Sequence, residues 1–252
     1  MRERLGGRHF AGGAPDERGA PPGACHHDPP SPGYDSTETG STLESTIRIL
    51  ALGSGAGNAL NAMVRAGADP ADFIAANTDV QDLKRTLAAT RLQIGKAVAR
   101  GLGAGGDIEV GRAAVAADRS EIAAALTGAD LVILLAALGG GTGGGAVPVV
   151  VEIAASVGAV VVPVVTTPFK FEGRSRKVNA EAALVALRVV AGDRLILVKT
   201  EIPPPDSGTT MSGLFALSDM NVAAAVREVL AAARGEVEQA SEQLIALRGG
   251  LS

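Results

Sequence analysis

The sequence predicts an α/β fold in which an open, Rossmann-like parallel sheet carries helices on both faces. Three observations support this prediction. Strand-like apolar runs alternate with helix-like periodic segments along the chain, and this alternation is typical of βα units joined by right-handed crossovers. Three glycine-rich turns follow predicted elements at 53–58, 101–106 and 139–145. Because ligands of such sheets bind beyond the carboxyl ends of the strands, we expect all three turns at that edge.

The first 45 residues differ from the rest of the chain. They contain Gly-Gly, Pro-Pro, Asp-Pro-Pro and Ser-Pro-Gly sequences and almost no apolar periodicity. Such a segment buries too little apolar surface to offset its ordering entropy, so we expect a disordered Gly/Pro-rich tail over 1–45. A folded domain is expected over 46–234. A helical extension follows over 235–252, because Gly235 is expected to end the preceding helix.

The elements of the folded part follow from two patterns. Short β-branched or apolar runs predict buried strands, and apolar residues at helical spacing predict helices. The predicted strands are 46–52, 73–77, 92–94, 131–137, 159–165 and 194–198. The predicted helices are 59–65, 79–86, alanine-rich helices within 108–126 where Asp118 and Ser120 offer a cap, 146–156, 172–190, 214–234 and a charged stretch at 236–247.

The segment 138–148, Leu-Gly-Gly-Gly-Thr-Gly-Gly-Gly-Ala-Val-Pro, is the most informative stretch of the chain. It lies between a predicted buried strand and a helix expected near Ala146, with Pro148 suited to the first helical turn. Its N–H groups carry almost no side chains, and the helix start adds positive potential, so the geometry favours an anion. We expect a phosphate chain there. A flexible linker is the alternative, which the flanking strand and helix disfavour.

Composition excludes several functional classes. A net charge of -4 and 2% aromatic residues without Trp argue against a nucleic-acid partner. No apolar run has the length of a membrane span or of a signal-peptide core, so we expect no integral membrane segment and a cytoplasmic location. Cys25 and the three histidines, His9, His26 and His27, all lie in the predicted tail. The folded part therefore offers neither Ser-His-Asp or Cys-His catalysis nor a usual zinc site.

Two common phosphate-binding motifs are incomplete. The turn at 53–58 begins like G-x-G-x-x-G, but Asn58 stands where the third glycine is needed for close helix packing. The turn at 139–145 lacks the Lys-Ser or Lys-Thr that completes a P-loop. A dinucleotide-dependent oxidoreductase stays an alternative, because many functions share sheets with glycine turns.

Six short segments lie in a fixed order along the chain. They are Gly57-Asn58-Ala59, Asn77-Thr78-Asp79 with Gln81, Gln93-Ile94-Gly95, the run from Arg100 to Gly105, the run from Gly139 to Gly145, and the run from Pro168 to Gly173 with Arg176. In this order and spacing they resemble the GTP-binding domain of the tubulin/FtsZ superfamily, most closely its bacterial cell-division members. One departure is Gly144, where that family's glycine signature has Thr. The resemblance covers about residues 47–227.

The resemblance implies that the ligand is GTP or GDP, and it assigns a role to each matching residue. The pocket would be lined by Gly55, Ala56, Gly57, Asn58 and Asn77. The terminal phosphate would be covered by Gly103, Ala104, Gly105 and Gly106, and the phosphate chain would be wrapped by Gly140, Gly141, Thr142 and Gly143. The ribose and phosphate would be contacted by Glu172 and Arg176, and guanine by Phe215 and Asp219. A carboxylate accepts from both N1–H and the exocyclic amine of guanine, a donor pair that adenine lacks. Triphosphate chemistry adds an expected Mg²⁺. No residue is assigned to catalysis or to direct metal ligation.

Each of these residues also has a purely structural interpretation. Phe215 suits core packing near a helix start, and the segment 77–79 suits a helix cap. Glu172 and Arg176, four residues apart, suit a helical ion pair. Asp219 could face solvent. The collinear order of the motifs favours the ligand-binding interpretation.

In the superfamily, GTP is hydrolysed at the contact between two subunits. One subunit carries an Asn-x-Asp-x-x-Asp type sequence after its long central helix, and this sequence reaches the next subunit's nucleotide and positions the attacking water. After the predicted helix 214–234 this sequence has no such motif. Glu236, Glu238 or Glu242 could substitute, but a solvated helical face is the commoner use of such residues. The family's second domain is not matched either. We therefore expect GTP binding with self-activated hydrolysis and polymerisation impaired.

Two further expectations concern partners. The chain would associate head to tail with a second copy or with FtsZ, at the division site of the cell. The alternative is a non-enzymatic protein that caps or regulates FtsZ filaments, which requires only one interface.

Overall fold

The computed structural model describes residues 45–200 and 208–249, with side chains described at 45–200 and 208–235. The predicted disordered tail lies outside these residues except for Ser45, and residues 201–207 lie outside them as well. The side chains of Glu236, Glu238 and Glu242 also lie outside them.

The described residues form an open sheet of six parallel strands. The strands are β1 (Ile47–Leu52), β2 (Phe73–Asn77), β3 (Thr90–Gln93), β4 (Leu131–Ala137), β5 (Val160–Thr166) and β6 (Ile196–Val198). Their order across the sheet is β3-β2-β1-β4-β5-β6, and every neighbouring pair is parallel. The chain thus runs outward from the central strand first to one edge and then to the other. The predicted fold class is confirmed.

Eight α-helices connect and follow the strands in the described residues. They are α1 (Gly53–Arg65), α2 (Val80–Arg85), α3 (Lys96–Ala99), α4 (Ile108–Ala117), α5 (Arg119–Leu126), α6 (Gly141–Ser156), α7 (Arg174–Ala191) and α8 (Met211–Gly249). Short 3-10 helices lie at Pro70–Asp72, Lys170–Glu172 and Gly192–Arg194. No helix among the described residues combines the length and the apolar character that crossing a bilayer requires.

The helices bury both faces of the sheet, which is why the strands are apolar on both sides. Along β1, Leu50 and Leu52 join one buried cluster with α4, α5, α6 and α7, whereas Ile49 and Ala51 join a second cluster with α1, α2 and α8. Successive side chains of a strand point to opposite faces, so one apolar run supplies both cores. The carboxyl ends of the central strands are left as the open edge.

Two helices begin earlier than the sequence indicates. Helix α1 starts at Gly53 rather than at Ala59, and α6 starts at Gly141 rather than near Ala146. Glycine has low helix propensity, so the sequence predicted turns. Packing decides otherwise, because the glycines allow the helix starts to approach the end of β4: a Cβ at Gly55 would lie 2.6 Å from the Ala137 Cβ.

The start of α6 is held against α4 by close backbone contact. A Cβ added at Gly145 would overlap the Ile108 carbonyl oxygen, and one at Gly111 would overlap the Gly141 carbonyl oxygen. Only glycine fits such an approach. The early start of α6 also places Pro148 inside the helix and not in its first turn.

Two other predictions about helices are wrong. Gly235 does not end a helix, because α8 runs from Met211 to Gly249 without a break. A single glycine costs only about 1 kcal/mol relative to alanine, and helix-forming neighbours continue through it. Asp118 lies at the N-cap position of α5 without a capping bond from its side chain. Its Oδ2 accepts instead from the Gly95 N–H at 2.6 Å, across the loop before α3.

Candidate functional site

Two adjoining hollows lie at the carboxyl ends of the central strands. We call the first the glycine hollow; it has a volume of about 320 Å³ and is lined by residues from all three glycine-rich segments. We call the second the aromatic hollow; it has a volume of about 240 Å³ and is lined by Phe169, Phe215 and Asp219 among others. Both are lined by Ser54, Gly55, Ala137, Gly140 and Arg176. Together they are within the range of small-molecule sites, roughly 300–1,000 Å³.

The glycine hollow has the geometry of a site for anions. The first residues of α6, Gly141, Thr142 and Gly143, line it together with Gly140 at the N-cap. Backbone N–H groups in the first turn of a helix have no partner within the helix, and the helix dipole adds partial positive charge there. No acidic residue occupies the first turn of α6, and no side-chain capping bond is made there. The turn is therefore free to bind an external anion.

Thr142 is the one hydroxyl residue in this glycine turn, and it is fixed by a second threonine. Its Oγ1 lies 2.6 Å from the Oγ1 of Thr78, in a buried hydrogen bond. Thr78 follows β2 and is completely buried. The carbonyl of Thr78 also accepts from the Gly103 N–H at 3.2 Å. Thr78 thus links the turn at α6 to the second glycine loop.

Arg176 lines both hollows, and Glu172 lines the aromatic one. Arg176 Nη1 donates to Glu172 Oε2 at 2.7 Å, while Glu172 Oε1 accepts from the Phe169 N–H at 2.7 Å. The Glu172 side chain is only 13% exposed, whereas that of Arg176 is 56% exposed. The predicted ion pair is therefore present, but it joins the 3-10 helix Lys170–Glu172 to α7 and does not lie within one helix. Because a guanidinium has five N–H donors, Arg176 retains donors for a second anion.

Three phenylalanines form one wall beside the aromatic hollow. Phe169 and Phe171 stack with ring centroids 5.1 Å apart, and Phe215 meets them edge-on at 5.5 Å and 6.3 Å. Phe215 is 44% exposed. It therefore contacts other rings while keeping part of its surface exposed, and edge-to-face contacts are a preferred geometry of aromatic pairs.

Asp219 lies one helical turn after Phe215 on α8 and also lines the aromatic hollow. Burial raises the pKa of its carboxyl to about 6 from an ordinary value of 3.8. Desolvation disfavours the charged form of a carboxyl, which is the usual cause of such a rise. A half-buried acid with a raised pKa in a hollow is a candidate for ligand recognition.

The structure brings most of the predicted site residues together. Those lining the glycine hollow are Gly55, Asn77, Gly103, Ala104, Gly105, Gly106, Gly140, Gly141, Thr142, Gly143 and Arg176. Those lining the aromatic hollow are Gly55, Asn58, Gly140, Glu172, Arg176, Phe215 and Asp219.

Ala56 and Gly57 line neither of these hollows. Ala56 is 4% exposed and packs in the core beneath α1, and Gly57 faces Thr86 on the other side of the same helix. The early start of α1 explains this placement, because successive residues of a helix point in directions about 100° apart. The sequence predicted a loop at 53–58, and from a loop the directions of these residues could not be deduced.

Several lining residues were not predicted. Ser54 lines both hollows and accepts from Asn77 Nδ2 at 3.2 Å, and Asp79 lines the glycine hollow. Both lie inside motifs already recognised in the sequence, and those motifs could have indicated that Ser54 and Asp79 line the site. Thr78, also in such a motif, was missed because a buried hydroxyl pair 64 positions apart has no local pattern. Asn179, discussed below, has no sequence signal at all.

An Asn-x-Asp-x-x-Asp spacing does occur once in the sequence, at 77–82, although not after the long helix. Asp79 Oδ1 caps α2 by accepting from the N–H groups of Gln81 and Asp82, and Asn77 Oδ1 accepts from the Asp79 N–H. Asp82 pairs with Arg85 at 3.4 Å. These groups therefore serve in part as a helix cap, the structural use expected for this segment.

Comparison with known proteins gives matches over the same region. A family model described as "Tubulin/FtsZ family, GTPase domain" matches residues 46–199. An empty FtsZ dimer from M. jannaschii is 35% identical, with a TM-score of 0.66 over 72% of this chain and 53% of that one. CetZ2 from Haloferax volcanii, solved as a GTPγS-bound protofilament, is 29% identical, with a TM-score of 0.63 over 76% of this chain and 59% of that one. The matched part thus spans between half and three fifths of these relatives.

Proposed function

Since the chain belongs to the tubulin/FtsZ family through that family's GTPase domain, we propose that it binds GTP and GDP across the two hollows. The observation that carries the proposal is their arrangement. A hollow of bare backbone turns adjoins a hollow with an acid and aromatic rings, and Arg176 lines both. A nucleotide has the same two parts, a phosphate chain and a base.

The phosphate chain is proposed to lie in the glycine hollow. The N–H groups at the start of α6 supply donors, and Thr142 supplies a hydroxyl held by Thr78 at 2.6 Å. The loop from Gly103 to Gly106 forms the facing wall. Helix starts and consecutive bare N–H groups of this kind favour phosphate, and Arg176 adds a full positive charge.

The base is proposed to lie in the aromatic hollow, with its edge at Asp219 and its face towards Phe215. The Asp219 carboxylate would accept from N1–H and the exocyclic amine of guanine. Adenine has no such donor pair, so this acid would make the site select guanine. Glu172 would contact the ribose, between the base and the phosphates.

Magnesium accompanies triphosphates, and the residues present fit it. Asp79 is the one carboxylate among the described residues that line the glycine hollow, and Thr142 offers a hydroxyl. Mg²⁺ usually retains several waters and binds through one or two carboxylates plus the phosphates, so a larger protein cluster is not required. The ion would neutralise phosphate charge in the hollow.

Hydrolysis is proposed to be slow for these 252 residues alone. In the family an Asn-x-Asp-x-x-Asp sequence positions the water, and the one such spacing in these 252 residues, at 77–82, serves in part to cap α2. An acid from another subunit or segment would then be needed to orient water at the last phosphate. A role in cell division, at the division site and with FtsZ or a second copy as partner, belongs to the same proposal.

The experiment that tests nucleotide binding is competition against labelled GTP. GDP is expected to compete strongly, and ATP and NAD weakly; equal competition by all three would contradict a guanine site. Phosphate release is then measured against protein concentration, alone and with a full-length FtsZ. Rapid, concentration-dependent release by the chain alone would contradict slow hydrolysis.

A second candidate is a protein that caps or regulates FtsZ filaments without using nucleotide. One observation favours it: Leu102, at the edge of the glycine hollow, is 82% exposed. A partner that covers this edge of the hollow would bury Leu102, and burying a leucine side chain contributes roughly 1.5–3 kcal/mol. Filament shortening that persists after nucleotide is removed from this chain would favour this candidate over an enzyme.

A further inference from the structure

The loop from Gly103 to Gly106 is anchored at Ala104, which is buried and whose carbonyl accepts from the Asp107 N–H at 2.9 Å, whereas Gly105 and Gly106 stand open. Gly103, Gly105 and Gly106 all have positive φ values, of 81°, 60° and 83°. No heavy atom lies within 4 Å of the Cβ positions of Gly105 and Gly106, so nothing packs against them. Gly103 is tied by its N–H to the Thr78 carbonyl, but this bond fixes only the beginning of the loop.

Asn179 fixes the other end from outside the hollow. Its Nδ2 donates to the Gly106 carbonyl oxygen at 2.7 Å and lies 3.5 Å from the Gly139 carbonyl oxygen. Both neighbours are acceptors, so the amide must present its NH2 group to them. Asn179 therefore links the loop to α7 and to the turn that precedes α6.

The position of the loop indicates which part of the nucleotide it would contact. Gly103 and Gly106 line the glycine hollow and are absent from the aromatic hollow, which holds Asp219. The loop thus lies at the end of the site away from the proposed base edge. It would contact the last phosphate of a triphosphate more closely than any phosphate of a diphosphate.

We propose that Asn179 is a positioning residue that holds the Gly103–Gly106 loop closed over the last phosphate and thereby slows the release of GTP. This inference rests on the proposed function. Asn179 lies three residues after Arg176, so both side chains project from neighbouring positions on one side of α7. Arg176 would bind phosphate charge while Asn179 keeps the opposite wall of the hollow in place.

The test is stopped-flow release of fluorescent GTP and GDP from the full chain. Asn179→Ala is expected to speed GTP release roughly two- to tenfold, as the loss of one net hydrogen bond implies, and to change GDP release less. Asn179→Gln keeps the NH2 donor and is expected to restore much of the slow release. Glu181→Ala is the matched control on α7, because that exposed side chain pairs with Lys177 and lines neither hollow.

Asn179→Asp is the second variant, for use if Asn179→Ala does not fold. It keeps the side-chain shape but turns an acceptor towards two carbonyl oxygens, so GTP release should be at least as fast as in Asn179→Ala. Amide hydrogen exchange at Gly105 and Gly106 in the nucleotide-free protein is expected to be faster in both variants than in wild type.

The outcomes separate the two proposals. If wild type binds GTP and the Asn179 variants release GTP and GDP at wild-type rates, the role of Asn179 is wrong and the proposed function stands. The same conclusion follows if GTP and GDP release change equally. If wild type binds no guanine nucleotide, the proposed function fails, and with it the role of Asn179.

Discussion

Thr78 Oγ1 and Thr142 Oγ1 form a buried hydrogen bond of 2.6 Å between residues 64 positions apart. The bond joins the carboxyl end of β2 to the start of α6. Thr142 has one proton to donate. When it donates to a phosphate it can still accept from Thr78, so Thr78 orients the hydroxyl for an anion.

Replacing either threonine by valine removes this bond while keeping the side-chain shape. Thr142→Val is expected to cost roughly 1–3 kcal/mol of the free energy of unfolding, because the Thr78 hydroxyl is left buried and unpaired, and Thr78→Val is expected to cost less, because water in the glycine hollow can reach the Thr142 hydroxyl. The double variant should cost less than the sum, as coupled neighbours do. Urea denaturation of the four proteins measures this. Strictly additive costs would show that the two hydroxyls do not interact, and Thr78→Ser, which retains the hydroxyl, serves as the control.

Asp219→Ala tests how the base is recognised. We expect the preference for GTP over ATP to fall roughly 10- to 100-fold, because charge-assisted hydrogen bonds are worth about 1.5–3 kcal/mol. Affinity for the phosphate chain should change less. Competition of GTP, ATP and inorganic triphosphate against labelled GTP separates these effects. Unchanged selectivity for GTP over ATP would contradict the assignment of Asp219.

The raised pKa of Asp219 predicts how guanine binding depends on pH. Because burial raises this pKa to about 6, the carboxylate that accepts from guanine is fully formed above about pH 7 and is lost below about pH 6. GTP affinity should therefore fall as the pH decreases through 6. Asp219→Asn should have lower affinity and a flatter profile between pH 5 and 8. An equally steep profile in that variant would assign the titration to another group.

The same pKa has the opposite effect on the nucleotide-free fold. A carboxyl whose folded pKa is raised above 3.8 contributes stability that is fully present below pH 3.8 and is lost as the pH rises through about 6. Nucleotide binding and stability of the empty protein should thus respond to this group in opposite directions. Denaturation of wild type and Asp219→Asn at pH 5 and pH 7 compares them: relative to the variant, wild type should lose stability as the pH rises.

Two glycines of one turn are expected to respond differently to the same substitution. Gly145→Ala places a Cβ on the Ile108 carbonyl oxygen, so α4 and α6 must separate at a cost of at least about 1–3 kcal/mol. At Gly140 φ is -88°, and no atom lies within 4 Å of an added Cβ. Gly140→Ala should therefore fold normally and weaken GTP binding, because its methyl group enters the hollow. Thermal melts and GTP titrations of both variants check this, and equal stability would contradict the packing argument.

Much of the fold follows from local sequence. The ends of all six strands were predicted to within about two residues. A short apolar run between turn signals is typical of a parallel strand that is buried on both faces. Most of the residues that line the glycine hollow could be predicted as neighbours as well, since a glycine turn after a buried strand has a definite place at the sheet edge. The prediction failed where glycines formed helix rather than loop, at Gly53 and Gly141. Glycine disfavours helix, but close packing that leaves no room for a Cβ can offset this cost, and the packing neighbours are distant in sequence.

The sequence by itself determined the sheet, its crossovers and the residue types that could surround a phosphate and a base. Only the tertiary structure decided which of them face the hollows, because Ala56 and Gly57 turn away with the first turns of α1. It also decided which distant groups hold the site: Thr78 on Thr142, and Asn179 on Gly106. Strand and turn patterns express forces between near neighbours in the chain. The contacts of Thr78 with Thr142 and of Asn179 with Gly106 depend on where folding places separate elements, and a local sequence pattern does not contain that information.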